Sequence, residues 1–313
     1  MPSDIFARIL SPRLPANAIG IEKGSAAVVQ LDRGRGGFLI KRAASVSLPD
    51  ALIQPSFDQS NISDQRELMS ALSDLLTSSG LLRQRKWSVS LPETATRTAI
   101  ITLESTNSRR EQDEMLEWKI ERGFGAPLSE LRLAREALPL DARKQKRYLI
   151  TAGHLAVVAE YESLFAAMGW QVGLILPRHV GEEQWLRNGH RGDSLLLTSH
   201  DEGFTAVLMR DNRPFVMRTV FCESADCDDE IHRIMLFYRD RAGTNGDDAA
   251  PPIDRLLVIG NQLDRQRVSQ IAQETLGASL KPLDPTDVGL MIPGREISFD
   301  LIAAPAGLAK MAW

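Results

Sequence analysis

The sequence predicts an α/β protein of two related lobes, with a small α+β subdomain inserted into the first. The chain has 313 residues and 43% hydrophobic content, and single cores stop growing near ~250–300 residues, so two lobes are the starting expectation. A succession of two hairpin strands, a third strand, a helix and another strand opens the chain and recurs after residue 193. Between these two runs, residues 98–170 carry a separate pattern of helix and strands.

Residues 1–15 space Ile5, Phe6, Ile9 and Leu10 on one face of a helical turn or two, ended by Pro12, and that face should pack on the body of the protein. Residues 18–32 read as a β-hairpin, an apolar run on each side of a small-residue turn at Gly24 and Ser25. A third strand follows over 36–49. After a polar loop at 55–64, residues 65–78 place Leu68, Leu72, Leu75 and Leu76 on one face of an amphipathic helix. Residues 87–91 form a strand stopped by Pro92, and 96–103 alternate like a surface or edge strand. A charged helix over 109–122 turns Met115, Trp118 and Ile120 inward and ends at Gly123. Strands at 131–138 and 147–151 and a helix at 155–168, stopped by Gly169, complete the inserted block.

The second half repeats the opening theme. Strands at 194–198 and 205–209 flank a polar turn, a third strand spans 214–221, and a helix spans 229–240. A loop at 243–252, polar and proline-rich, separates that helix from a buried-type strand at 256–260 and a helix at 265–276. The predicted first lobe is therefore 1–97 with 171–192, the insertion 98–170, and the second lobe 193–313.

The 37 Lys and Arg against 41 Asp and Glu give a formal charge of -4, which offers no broad attraction to a phosphate backbone or an anionic lipid surface. Nucleic acid is not an expected partner, and neither is direct membrane insertion, because no run approaches the ~20 apolar residues of a membrane span. Two cysteines and no signal-peptide core fit a reducing cytoplasm. Metal-hydrolase, Walker-type, dinucleotide and nucleophile-elbow motifs are absent from the sequence. Cys222, Cys227 and His232, with Asp226 nearby, are zinc-type ligands at an unusual spacing, and ordinary reduced thiols are the expectation. No metal site is expected. The five histidines lack an evident partner for acid–base work.

Several segments resemble the PilM family of type IV pilus assembly proteins, within the actin-like (ribonuclease H-like) ATPase group. The opening hairpin carries Gly20, Ile21, Glu22, Lys23, Gly24 and Ser25 where that family has a GIDIGSSSVK-type turn. Glu117, Trp118, Lys119, Ile120 and Glu121 followed by Pro127, Leu128, Ser129, Glu130 and Leu131 resemble the family's EWEAEQYIPFPLDEV stretch. Residues 149–169, the helix Glu230–Ile234 with Phe237 and Tyr238, and the ending at 253–260, 276–283, Asp284 and Pro285 follow the family's order. The resemblance spans nearly the whole chain and implies the two-lobed actin-like fold.

In that group ATP lies between the lobes, held by two small-residue hairpins and a glycine turn, whose backbone amides suit anions. Here the first hairpin keeps Gly24 and Ser25 but has Glu22 in place of Asp, the second reads Thr198, Ser199, His200 with no Asp directly after the strand, and the third turn reads Gly260, Asn261, Gln262. Asp201 and Glu202 lie further along. All three elements are degraded, so Glu22, Gly24, Ser25, Gly260 and Asn261 form a degenerate nucleotide site, and no resident cofactor and no catalysis are expected. ATP with magnesium is the alternative ligand.

The resemblance also implies a function. Members of the family bind the cytoplasmic tail of PilN, a single-span inner-membrane protein, and connect it to other pilus motor components. The expectation is a cytoplasmic, non-enzymatic scaffold, peripheral to the inner membrane through its partners, with Trp118, Phe124 and Leu128 near the tail. Phe124 and Leu128 are read as lining an exposed groove, while Trp118 has core packing as its competing role. The alternatives are an ATP-binding actin-like switch and a GspL-like type II secretion component.

Overall fold

The computed structural model describes residues 14–104, 108–141, 143–242, 252–294 and 297–313. The expected N-terminal helical turns and nearly all of the loop at 243–252 lie outside these residues. β1 (Asn17–Ile21), β2 (Ser25–Gly34) and β3 (Gly37–Ser47) form an antiparallel meander, and α1 (Gln65–Ser78) leads into β4 (Lys86–Leu91), which runs parallel to β1. The insertion contributes β5 (Arg97–Leu103), α2 (Arg109–Phe124), β6 (Leu131–Leu138) and β7 (Lys146–His154). α3 (Leu155–Ala167), β8 (Gln171–Pro177) and the short α4 (Arg178–Glu183) return to the first lobe.

The second lobe has β9 (Asp193–His200), β10 (Gly203–Arg210), β11 (Arg213–Phe221), α5 (Cys227–Ala242), β12 (Ile253–Ile259) and α6 (Arg265–Leu276). β13 (Leu290–Met291) and α7 (Phe299–Lys310) close the chain. The first sheet has the order β13-β3-β2-β1-β4-β8 and the second β11-β10-β9-β12. The shared succession β3-β2-β1-β4 and β11-β10-β9-β12 is the duplication expected from the sequence, in both order and strand direction.

The elements form because local pattern and capping agree. Asp64 caps α1 by accepting from the Arg66 and Glu67 amides, and Leu68, Leu72, Leu75 and Leu76 are all buried on one side. They join Trp87, Val89 and Leu91 from β4 and Val157, Tyr161, Leu164 and Phe165 from α3 in a single apolar cluster. α3 therefore packs on the first lobe's sheet, although sequence order suggested that it belonged to the insertion. On the other face of that sheet lies α7, whose Ile302, Ala303, Ala306 and Leu308 contact Ala18 and Val29 on one side and Leu196, Val207, Leu257 and Ile259 of the second sheet on the other. α5 and α6 cover the far face of the second sheet.

Residues 289–313 thus depart from the expected lobe boundary. β13 pairs with β3, Leu290 opposite Phe38, and α7 lies against β1, β2 and β4. Gly181 of α4 and Gly307 of α7 meet backbone to backbone: a Cβ on Gly307 would overlap the Gly181 carbonyl oxygen, and a Cβ on Gly181 would overlap that of Ala304. Trp185 fixes the crossing by donating its indole N–H to the Ala303 carbonyl, 2.8 Å.

In the insertion, α2 packs on the antiparallel sheet β5-β7-β6 through Leu116, Ile120 and Phe124. α2 continues beyond the predicted stop at Gly123, because Gly125, with φ 70°, supplies the left-handed cap and donates its N–H to Glu121. The extension carries Phe124 one turn beyond Ile120, into the core, at 3% exposure. Trp118, expected inward, is on the opposite side and 54% exposed.

Two substitutions test this packing in urea or guanidinium unfolding. Phe124→Ala should lower stability by about 3–5 kcal/mol through cavity formation. Gly307→Ala should lower it by about 1–3 kcal/mol or more, because a single methyl must push the two helix backbones apart.

Candidate functional site

At one end of both sheets, polar residues replace the apolar core between the lobes. The first hairpin turn closes with the Glu22 amide donating to the Ser25 carbonyl, 2.8 Å, and the Leu48 amide donating to the Gly24 carbonyl, 2.9 Å. β9 ends at the second turn, where His200 is buried and Asp201 is not. Lys23 Nζ and Asp201 Oδ2 pair at 3.6 Å, so the tips of the two turns are tied across the lobes.

α4 fills the space beneath. Pro177 enters it in an extended conformation, and Arg178 and Glu182, one turn apart, bond at 2.6 Å from Nε to Oε1. The same guanidinium lies 3.7 Å from Glu22 and donates to the Asp300 backbone carbonyl at 3.4 Å. Asp300 Oδ1 in turn accepts from the Gly260 amide and from Arg265, both at 2.8 Å. A continuous chain of polar contacts therefore runs from the end of β1, through Arg178 and Asp300, to the end of β12.

A second cluster adjoins it. Glu93, in a short turn after β4, accepts from His179 Nδ1 at 2.7 Å and from the Thr205 hydroxyl at 3.0 Å, joining β4, α4 and β10. Burial would raise the Glu93 pKa, but the facing His179 charge and hydrogen bonds, with His200, bring it down to about 2. Burial would lower the His179 pKa, and Glu93 outweighs it and holds it above the ordinary imidazole value. Burial depresses His200, which Glu93 only partly offsets. Glu22 goes the other way: desolvation, with Glu182, Glu93 and Asp201 nearby, pushes its carboxyl up to about 8 despite Arg178. Among the described residues several buried polar atoms here have no hydrogen-bond partner, including His179 Nε2 and the hydroxyls of Ser88, Ser90 and Thr198.

The fold therefore brings Glu22, Gly24 and Ser25 to one wall of this region and Gly260 to the other, while Asn261 is exposed. Gly260 lies so close to Ser199 that a Cβ would overlap its hydroxyl, which packs the third turn against the second strand end. Arg178, His179, Glu182, Glu93 and Asp300 belong to this candidate site, and sequence reasoning missed them. The usable signal was Pro177 followed by an Arg and a Glu four residues apart, the signature of a short helix start with an internal ion pair.

The residues expected at a partner surface separate. Trp118 is exposed, with Arg122 over its ring at 5.1 Å. Leu128 is half-buried against the insertion core, and its amide donates to Glu121 Oε1 at 2.9 Å. Phe124 is interior, so the expectation that it lines an exposed groove is corrected. The expectation of reduced thiols is corrected as well. The end of β11 and the start of α5 place the Cα atoms of Cys222 and Cys227 5.7 Å apart, within disulfide range, and the two are bonded. His232 turns instead to the Thr275 hydroxyl, 2.8 Å from Nδ1.

No protein-family model matches the sequence, and no curated protein matches it either. Among solved structures, a chain of the PilM–PilN type IV pilus biogenesis complex superposes with a TM-score of 0.70 at 17% identity, covering 96% of this chain and 99% of that one. The fold is PilM-like and actin-like. Weaker likenesses are to the cytoplasmic domain of EpsL, an inner-membrane component of the type II secretion system of Vibrio cholerae, with TM-score 0.47, 9% identity and 95% and 93% coverage. A Bacteroides thetaiotaomicron protein of actin-like ATPase fold and unknown function gives 0.48, 8%, 92% and 93%. In this PilM-like frame the two turns and α4 occupy the inner end of the interlobe cleft. Among the described residues no helix is long and apolar enough to cross a membrane.

The charge network predicts a pH dependence. Folding raises the Glu22 pKa from 4.5 to about 8, so the stability it contributes is full below pH 4.5 and is lost as pH climbs toward 8. Glu93 acts oppositely, contributing above pH 4.5 and losing that contribution as pH falls toward 2. Glu22→Gln should therefore match the wild type near pH 5 and exceed it near pH 8. With the Glu22 side chain 27% exposed, the gain should be about 2 kcal/mol. Urea midpoints at the two pH values measure it, and parallel profiles for the two proteins would exclude a raised Glu22.

Proposed function

We propose that this protein is a non-enzymatic scaffold of a type IV pilus machine that holds the cytoplasmic tail of a PilN-like inner-membrane protein. The observation that carries the proposal is the end-to-end likeness to a chain of the PilM–PilN complex. Attachment to the inner membrane comes through that partner, and other motor components join through the same scaffold. The filled interlobe cleft supports the absence of ATP turnover. Glu93 and Glu182 carry buried carboxylates beside the region where phosphates lie in nucleotide-binding members of the fold, with Glu22 next to them, and Arg178 is already paired with Glu182. A triphosphate entering here would displace an ion pair and meet like charge.

The partner surface is assigned to the exposed face of α2 around Trp118 and Arg122. Trp and Arg are among the side chains enriched at interface hot spots, and here an exposed Trp118 carries Arg122 over its ring. Leu128 and interior Phe124 lie on the core side of the insertion.

Two measurements test the proposal. Calorimetric titration with the synthetic cytoplasmic tail of the PilN-like protein of the same organism should give saturable binding. Trp118→Ala should weaken it at least about tenfold with an unchanged melting temperature. No binding by the wild-type protein rejects the scaffold assignment, and full-strength binding by Trp118→Ala rejects the surface. Titration with MgATP should leave the melting temperature unmoved, and a saturable rise would instead establish the ATP-binding switch.

A further inference from the structure

The Cys222–Cys227 bond lies where it can act on the interlobe contact. Cys222 is half-buried and, with Asp201, Glu202, Phe221 and Ser224, lines an open depression of about 600 Å³. Cys227 is buried in the second lobe's core as the first residue of α5. Cys222 is therefore the more accessible half of the bond and Cys227 the buried half.

The depression is built from the second turn itself. The Cys222 amide donates to the Glu202 carbonyl at 3.0 Å, and Gly203 sits so close to the backbone of residues 220–222 that a Cβ there would overlap the Val220 carbonyl oxygen. Phe221, 66% exposed, sets its ring edge-on to His200, with centroids 6.0 Å apart. Asp201, in the same turn, holds Lys23 of the first lobe. From the disulfide to the first lobe there are thus two short routes, Cys222–Glu202–Asp201–Lys23 along the turn and Phe221–His200 toward Glu93.

We propose that Cys222–Cys227 is a reversible thiol–disulfide exchange site whose oxidation state sets how firmly residues 200–203 are held against the first lobe. The chemistry follows from exposure. A thiolate of a small dithiol attacks Sγ of Cys222, the sulfur facing the depression. The protein S–S bond breaks, and Cys227 leaves as a thiolate at the start of α5 and takes a proton. The second thiol of the reductant resolves the mixed disulfide and frees Cys222. Two electrons and two protons pass to the protein sulfurs and the reductant ends as its own disulfide. A small-molecule disulfide of uncharged or cationic character, such as cystamine, runs the sequence backwards. Asp201, Glu202 and Glu223 give the depression a negative field, so exchange selects against anionic thiols.

Reduction removes a cross-link over a five-residue separation. By loop-closure entropy, opening of that loop should become roughly 10- to 50-fold more frequent. The experiment is amide hydrogen exchange on the full-length protein, oxidised with diamide or reduced with dithiothreitol, with alkylation and mass measurement counting free thiols in each sample. The expected result is no free thiol after diamide and two after reduction. Exchange at residues 200–203 and 220–230 should accelerate at least about tenfold on reduction, with β1 unchanged. A Cys222→Ser, Cys227→Ser protein should match the reduced wild type, and the reduced wild type makes the same measurement should that variant fold poorly. Cationic cysteamine should reduce the bond several-fold faster than anionic mercaptoethanesulfonate at low salt. Two free thiols after oxidation, equal exchange in both states at 200–203, or loss of protection spread over the whole second lobe would each overturn the proposal.

Discussion

The contact between Gly181 and Gly307 sets the rest of the structure. Two helices that meet at their backbones need glycine at the crossing, and their neighbours must be small. α7 obliges with Ala303, Ala304, Ala306 and Ala309, and β1 obliges with Gly20, whose Cβ position would lie 3.1 Å from the Pro305 ring. The thin double layer of α4 and α7 lets two sheets share a single interior cluster. The crossing also fixes where α4 begins, and with it the position of Arg178 among Glu22, Glu182 and Asp300.

Energetically, the interior of this cleft changes character along its length. At one end, leucine, valine and alanine contacts between α7 and both sheets are non-directional and favour any close approach. At the other, Arg178 serves two carboxylates and a carbonyl, and Glu93 serves an imidazole and a hydroxyl from the opposite lobe. Such networks add little net stability against apolar packing, and removing one member leaves a buried charge unpaired. Their effect is to select one relative position of the lobes. Glu22 fits this logic by keeping a proton near neutrality, which spares the network a further buried negative charge beside Glu182 and Glu93.

The fold was legible wherever a single segment carried its own pattern. α1 showed itself by four leucines on one face and an Asp cap, and the duplicated hairpins by apolar runs around polar turns. α2 was read too short, because Gly123 is tolerated inside the helix and Gly125 supplies the cap, and this error moved Phe124 from a groove to the core. α4 and α7 gave no amphipathic signal. The first is a six-residue helix, and the second is buried on almost every side, so it has no polar face to set against an apolar one. The disulfide and the Glu93–His179 pair were invisible for another reason: they depend on where a strand ends relative to a helix, and on residues 86 positions apart.

The two lobes are duplicates in sheet order but not in what they own. Both central helices pack with the first lobe, through Gly20, the β1–β2 face and β8, while the second lobe contributes α5 and α6 only to its outer side. Besides the shared apolar cluster, its register against the first lobe is set by directional contacts that include Thr205 to Glu93, Asp201 to Lys23, Gly260 and Arg265 to Asp300, Asp254 to His190, and Arg147 of the insertion to the Phe215 carbonyl. Each lobe is held internally by a continuous ladder and a dense core, whereas the polar end of the cleft is held by separate side-chain contacts. The second turn carries one of these contacts, at Asp201, and the strand it opens carries another, at Thr205, which makes the second turn and its disulfide strap the natural place for the chain to adjust the cleft.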